Sequence, residues 1–224
     1  MTLPIAVLFD VDETLVHTGG SGARSWAWAF DQLHGVAADI GAHSSAGETD
    51  PQVGKATFRA ALGREPSHEE MSRLYAKYLW HLSEDIWTAE GYKVLEGATD
   101  LLGRLADAGV ILGVISGAME GAARMKMEPG RLNRYFVFGA YGSDSPDRTE
   151  VTRLAIAKAS RLHGRDLAPG EVFIVGDTPH DVDSALAAGA TAVGVATGHF
   201  GAEELRAAKA DHVLQSLAEP FPRF

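Results

Sequence analysis

Residues 6–16 read AVLFDVDETLV: four apolar residues, then Asp10, then Asp12. The apolar run shows no polar alternation. It therefore reads as a strand covered on both faces, as in a parallel sheet. Side chains at i and i+2 of extended backbone point the same way. Two carboxylates held that close repel each other and call for a cation or a shared proton. The plain alternative is an acidic loop in which Asp and Thr14 cap the next turn.

Working outward, similar short apolar runs recur at IAVLF (5–9), VILGVI (110–115), YFVFG (135–139), EVFIVG (171–176) and TAVGVA (191–196). Segments with helical spacing separate the later ones: 98–109, 150–164 and 179–190, each with a glycine at or near its end. The repetition of strand and helix predicts an α/β fold with a doubly wound, mostly parallel sheet. The tail, DHVLQSLAEPFPRF, is expected to add a last short strand and a turn.

Residues 17–91 differ. They hold no strand-like run, but they do hold helical stripes at Trp26, Phe30 and Leu33 and at Met71, Leu74, Tyr75, Tyr78 and Leu82. Asp50-Pro51 reads as a helix start, and Ser67 with Glu70 as a capping box. The chain therefore divides into a core over 1–16 and 92–224 and an all-helical insert over 17–91, whose aromatics form a small core of their own. An insert that leaves and rejoins beside Asp12 sits over the carboxyl end of the sheet, where open α/β folds bind ligands.

A second acidic cluster, IVGDTPHD (174–181), closes another apolar run with Asp177 and Asp181. Right-handed connections bring such loops to one edge of the sheet, so Asp10, Asp12, Asp177 and Asp181 can converge. An all-carboxylate set suits Mg²⁺, and Mg²⁺ is most useful where phosphate must be held and its charge offset. His180, between the two aspartates, is not needed as a ligand.

Taken in order, these segments resemble the haloacid-dehalogenase-like hydrolases, in the phosphatase branch with a helical cap. DVDET (10–14) resembles that family's first motif and VIS (114–116) its second. Arg148 in SPDRTEVTRLA fits the third, and VGDTPHD (175–181) resembles the fourth. The resemblance implies a Rossmann-like core and a Mg²⁺-dependent phosphoric monoester hydrolase. Asp10 would be the nucleophile and Asp12 the proton donor and then the base, with its backbone carbonyl on the metal. Asp177 would be a direct metal ligand, and Asp181 a ligand through water or a support. Ser116 and the backbone around Gly117 would bind a phosphoryl oxygen, and Arg148 would neutralise charge on the phosphoryl group and on Asp10. Asp12 separates phosphatases from the dehalogenase branch, which lacks it. A sugar phosphomutase, a catalytically silent binding protein on the same fold and a response-regulator-like phospho-acceptor stand as alternatives.

The chain departs from the family pattern in three places. Glu13 stands where many capped relatives carry Gly, no side-chain donor follows Ser116, and Arg148 replaces the more frequent Lys. Lys158 and Lys126 are weaker alternatives for the third motif. In the cap, GETDPQ (47–52) resembles a loop of phosphoglycolate-phosphatase-like proteins, which makes Thr49 and Asp50 candidate substrate contacts, although a helix cap alone would explain them. His17 and Arg24 are further substrate candidates. Lys55 is the residue a C–P-cleaving relative would need.

The bulk numbers narrow the partners. With a net charge of −10 and no K/R-rich run, the chain is not suited to a nucleic acid polymer or an anionic membrane. With no cysteine, thiol chemistry and disulfides are excluded. No signal-like start or spanning segment is read, so the expected compartment is cytoplasmic and the expected partner a small phosphorylated metabolite. A homodimer is left open.

Overall fold

The structure is a computed structural model that describes residues 3–36, 38 and 47–224. Strand β1 (Ala6–Phe9) is completely buried and lies at the centre of the sheet. A short strand, β2 (Val16–Thr18), leads into three helices: α1 (Ser21–His34), α2 (Asp50–Leu62) and α3 (His68–Thr88). Strand β3 (Tyr92–Val94) returns antiparallel to β2, with Thr18 opposite Tyr92. The core then continues through α4 (Ala98–Asp107), β4 (Ile111–Ser116), α5 (Glu120–Met127), β5 (Phe138–Tyr141), α6 (Arg148–His163), β6 (Val172–Gly176), α7 (Pro179–Ala187), β7 (Thr191–Val195), α8 (Ala202–Ala207) and β8 (His212–Leu214).

The six-stranded sheet has the order β5-β4-β1-β6-β7-β8, and every pairing in it is parallel. Counted within the core alone, this is the doubly wound order 3-2-1-4-5-6. The winding reverses beside β1, so the ends of β1, β4 and β6 flank the crevice where such sheets take ligands. One core cluster packs Phe9, Val114 and Phe173 beneath α4 and α5, and a second packs Leu8, Ile115 and Ile174 against α6 and α7. The continuous apolar runs follow from this two-sided cover.

In the cap, α3 starts at the expected capping box: the Glu70 N–H donates to Ser67 Oγ at 3.2 Å, and the Ser67 N–H to Glu70 Oε2 at 2.8 Å. Its buried stripe is Leu74, Tyr78, Leu82 and Ile86. Trp26, Phe30 and Phe58 fill the space between the cap helices, with Phe30 and Phe58 edge to face at 5.2 Å. Trp80 and Trp87 are exposed and take no part in that core.

The structure adds to or shifts the sequence reading in three places. The joins to the cap pair as a β2–β3 ribbon where no strand is expected. The β5 strand begins three residues late, because Leu132–Tyr135 form a 3-10 turn. Phe136 is spent packing on Phe9 from that approach, and Val137 is 75% exposed. Helices α5 and α8 lack a periodic apolar stripe long enough to predict from sequence.

Candidate active site

Asp10 follows β1 directly, and its N–H donates to Val175 O of β6 at 2.8 Å, which fixes the loop to the neighbouring strand. Its carboxylate is buried. Asp177, one residue past β6, is also buried, and Thr14 Oγ1 donates to its Oδ1 at 3.3 Å. Asp181 arrives from the first turn of α7. Its Oδ2 completes a capping box, accepting from the Thr178 N–H at 3.1 Å and Thr178 Oγ1 at 2.7 Å. That leaves Oδ1 facing the site. The approach needs Gly176: a Cβ there would lie 2.3 Å from Asp181 Cγ.

Ligand oxygens of Asp10, Asp177 and Asp181 lie within 4.8 Å of one another. Burial, reinforced by Asp181 and partly offset by Arg148, pushes the Asp10 carboxyl up to about 7. Burial, with Asp181 and Asp10 beside it, pushes Asp177 up to about 9. Arg148 alone therefore leaves the charge of three carboxylates only partly offset. A hard divalent cation fits: the donors are all oxygens, and Gly198 keeps the approach to Asp177 open, since a Cβ there would fall 1.9 Å from Oδ2.

Arg148, the first residue of α6, is buried and turned inward. Its Nη2 donates to Asp10 Oδ1 at 2.8 Å and also to Asp181 Oδ1. Lys158, nearly three turns later, is 39% exposed and donates to Gly139 O at 2.6 Å, away from the carboxylates of the site. Of the lysines, Lys126 is the one at the site. It is buried on α5, and its Nζ donates to Asp12 Oδ2 at 2.6 Å. Burial opposes its charge, but Asp12, Tyr78 and Asp50 outweigh that and raise its pKa. Sequence weighs Lys126 only for the third motif. Its spacing carries no signal because α5 is what turns it back toward Asp12.

Ser116 ends β4 with its Oγ buried, accepting from the Ala118 N–H at 3.2 Å. The cap meets the core at this loop. The Asp50 N–H donates to Gly117 O at 2.8 Å, the Met119 N–H donates to Asp50 Oδ2 at 2.8 Å, and a Cβ on Gly117 would lie 2.3 Å from Glu48 O. Burial pushes Asp50 up to about 6 against the pull of Lys126. Thr49 is placed differently from the expectation that it faces the crevice. It is fully buried as the N-cap of α2, and its hydroxyl donates to Pro146 O at 3.0 Å.

Two adjoining cavities result. An inner one of about 260 Å³ is lined by Asp10, Asp12, Ser116, Gly117, Arg148 and Asp177, among others. An outer one of about 430 Å³ runs between core and cap past His17, Trp26, Val53, Tyr78 and His199. Asp12, Glu13, Asp50, Lys126 and His199 border both. His199 was not anticipated from sequence. Arg24 is tied to Asp85 at 2.7 Å, Lys55 is exposed on α2, and neither lines either of these two cavities. His180 is exposed and outside the carboxylate cluster.

Glu13 holds a φ of 56°, a left-handed conformation that favours glycine. Its N–H donates to Val16 O at 2.8 Å, its carbonyl accepts from Thr197 Oγ1 at 2.5 Å, and its carboxylate pairs with His17 Nδ1 at 2.7 Å. Three contacts hold a conformation that a glycine would reach unaided.

Known proteins resemble this chain over most of its length. A phosphoglycolate phosphatase of Rhodospirillum rubrum is 31% identical over 208 residues, covering 88% of this chain and 81% of its own length. One from Salmonella typhi is 25% identical over 177 residues, covering 75% and 67%. The crystal structure of CbbY from Rhodobacter sphaeroides in complex with phosphate superposes with a TM-score of 0.77 at 21% identity, covering 97% of this chain and 96% of that one, and so shares the fold. The model of the haloacid dehalogenase-like hydrolase family matches residues 6–189. This chain belongs to that hydrolase family.

Proposed function

We propose that this hydrolase is a Mg²⁺-dependent phosphatase that cleaves a small phosphomonoester metabolite through an aspartyl-phosphate. The observation that carries the reading is the meeting of Asp10, Asp177 and Asp181 with Arg148 at the floor of a cap-covered cavity. We take 17–91 as the cap and 1–16 with 92–224 as the core. The side chains of Asp10, Asp177 and Asp181 and the backbone carbonyl of Asp12 are assigned to the metal. When bound, Mg²⁺ supplies the positive charge that lets carboxylate and phosphate approach.

An Asp10 oxygen attacks phosphorus, and the bond to the leaving oxygen breaks as Asp12 gives that oxygen a proton. Asp12 then takes a proton from water, which attacks the same phosphorus, frees Asp10 and releases inorganic phosphate. Ser116 and the backbone at Gly117 hold phosphoryl oxygens, and Arg148 offsets their charge. Asp50 borders the space for the leaving group, while Thr49 is assigned to the fold of α2. The described helices include none long and apolar enough to cross a membrane.

The test is a hydrolysis screen over phosphorylated metabolites with Mg²⁺, run beside Asp10→Asn. Release of inorganic phosphate, lost in the variant, is the expected result. Unchanged release in Asp10→Asn would exclude Asp10 as nucleophile, and interconversion of isomers in place of release would indicate a mutase.

A further inference from the structure

Lys126 is 6% exposed and stands where the two cavities meet. Its stem runs over α1 of the cap, where a Cβ on Gly22 would lie 3.5 Å from Cε and 3.6 Å from Nζ. Its Nζ donates to Asp12 at 2.6 Å, and it is the ion-pair partner of Asp12 among the described residues. Arg148 Nη2 donates to Asp10 at 2.8 Å. Each of the two neighbouring carboxylates thus has its own buried cation, one on α6 and one on α5. A buried ion pair contributes little net stability compared with apolar packing of the same volume, so stability alone is a weak reason for a lysine here. The Asp12 side chain is 40% exposed, open toward the outer cavity, and Lys126 fixes its direction.

We propose that Lys126 is a positioning residue for proton transfer at the leaving-group oxygen. It aims the Asp12 carboxyl at the outer cavity and keeps a fixed positive charge on the side of the phosphoryl group where negative charge develops. The inference rests on the role given to Asp12 above. As the P–O bond breaks, its electron pair goes to the leaving oxygen and the proton comes from Asp12, while Lys126 keeps its own protons throughout. Such help matters most when the leaving group is a poor one. An alkoxide needs its proton, whereas 4-nitrophenolate leaves without it.

The experiment compares the wild-type protein with Lys126→Met and Lys126→Arg, in Mg²⁺, on alkyl phosphomonoesters and on 4-nitrophenyl phosphate. In Lys126→Met, kcat on alkyl esters should fall on the order of 10²-fold with KM within about threefold, and kcat on 4-nitrophenyl phosphate should fall less than about tenfold. Lys126→Arg should recover at least about tenfold of the alkyl loss. Equal loss on both ester types, a change in KM alone, or no loss overturns the assignment while leaving the phosphatase reading intact. Wild-type silence on every monoester overturns both. If Lys126→Met does not fold, Lys126→Gln carries the same comparison.

Discussion

Replacing Asp177 with Asn should stabilise the metal-free protein while weakening the proposed Mg²⁺ site, an outcome opposite in sign to most buried substitutions. Asn has the same shape, and its Oδ1 can keep accepting from Thr14 Oγ1, so packing changes little. What disappears is one of three carboxylates crowded within 4.8 Å. In the folded, metal-free protein the Asp177 carboxyl titrates near 9, against an ordinary value of 3.8. Because the folded value is raised, folding takes up a proton between these limits, and stability falls as pH rises through them. One such group removes up to roughly 1–1.5 kcal/mol per pH unit, and about half that once water reaches the ionised cluster. From pH 6 to pH 8 the variant's advantage should therefore grow by about 1–3 kcal/mol, or roughly 2–12 °C in melting temperature for a chain of this size. Thermal unfolding in EDTA at several pH values reads this directly. With Mg²⁺ restored, the wild type should gain more stability than the variant. A gap that stays constant with pH, or an Asn variant less stable than wild type in EDTA at pH 8, would refute the reasoning.

Three further outcomes follow from the same geometry. Arg148→Met strips the countercharge from Asp10 and Asp181 and should destabilise the metal-free protein by about 3–5 kcal/mol at pH 8, read by urea unfolding in EDTA. Gly198→Ala places a Cβ against Asp177 Oδ2 and should weaken Mg²⁺ binding by on the order of tenfold or more, measured by calorimetric titration. Phe58→Ala empties the centre of the cap and should cost about 3–5 kcal/mol in urea unfolding, with the intrinsic Mg²⁺ affinity of the core less affected than its stability.

The parallel strands were legible because each is buried on both faces and so writes itself as an uninterrupted apolar run. The four carboxylates were legible for a related reason. Strand ends in a doubly wound sheet share an edge, so residues at 10–12 and 177–181 meet whatever lies between them. Arg148 could be chosen over Lys158 because the first residue of a helix points at the sheet edge, whereas a residue ten positions later does not. The pairing of Lys126 with Asp12 is not written in the sequence, because its reach depends on a short helix, α5, with no clear apolar period. Thr49 and Asp50 show the limit of a loop pattern. The one GETDPQ loop supplies a buried cap hydroxyl and a carboxylate facing the cavity, and only the approach of the Gly117 loop decides which is which. Glu13, read from sequence as a departure, is explained by a backbone angle that composition does not record.

The β2–β3 ribbon has a consequence for chain topology. Thr18 and Tyr92 are paired residues, and the glycines just beyond them, Gly19 and Gly91, have φ of 59° and 83°. Two adjacent positive-φ residues are what a two-residue type I′ hairpin requires. Joined directly, Thr18-Gly19-Gly91-Tyr92 would close β2 and β3 into a tight hairpin without altering either strand. Some seventy residues of cap are thus inserted between two strand ends that already face each other as the arms of a single hairpin.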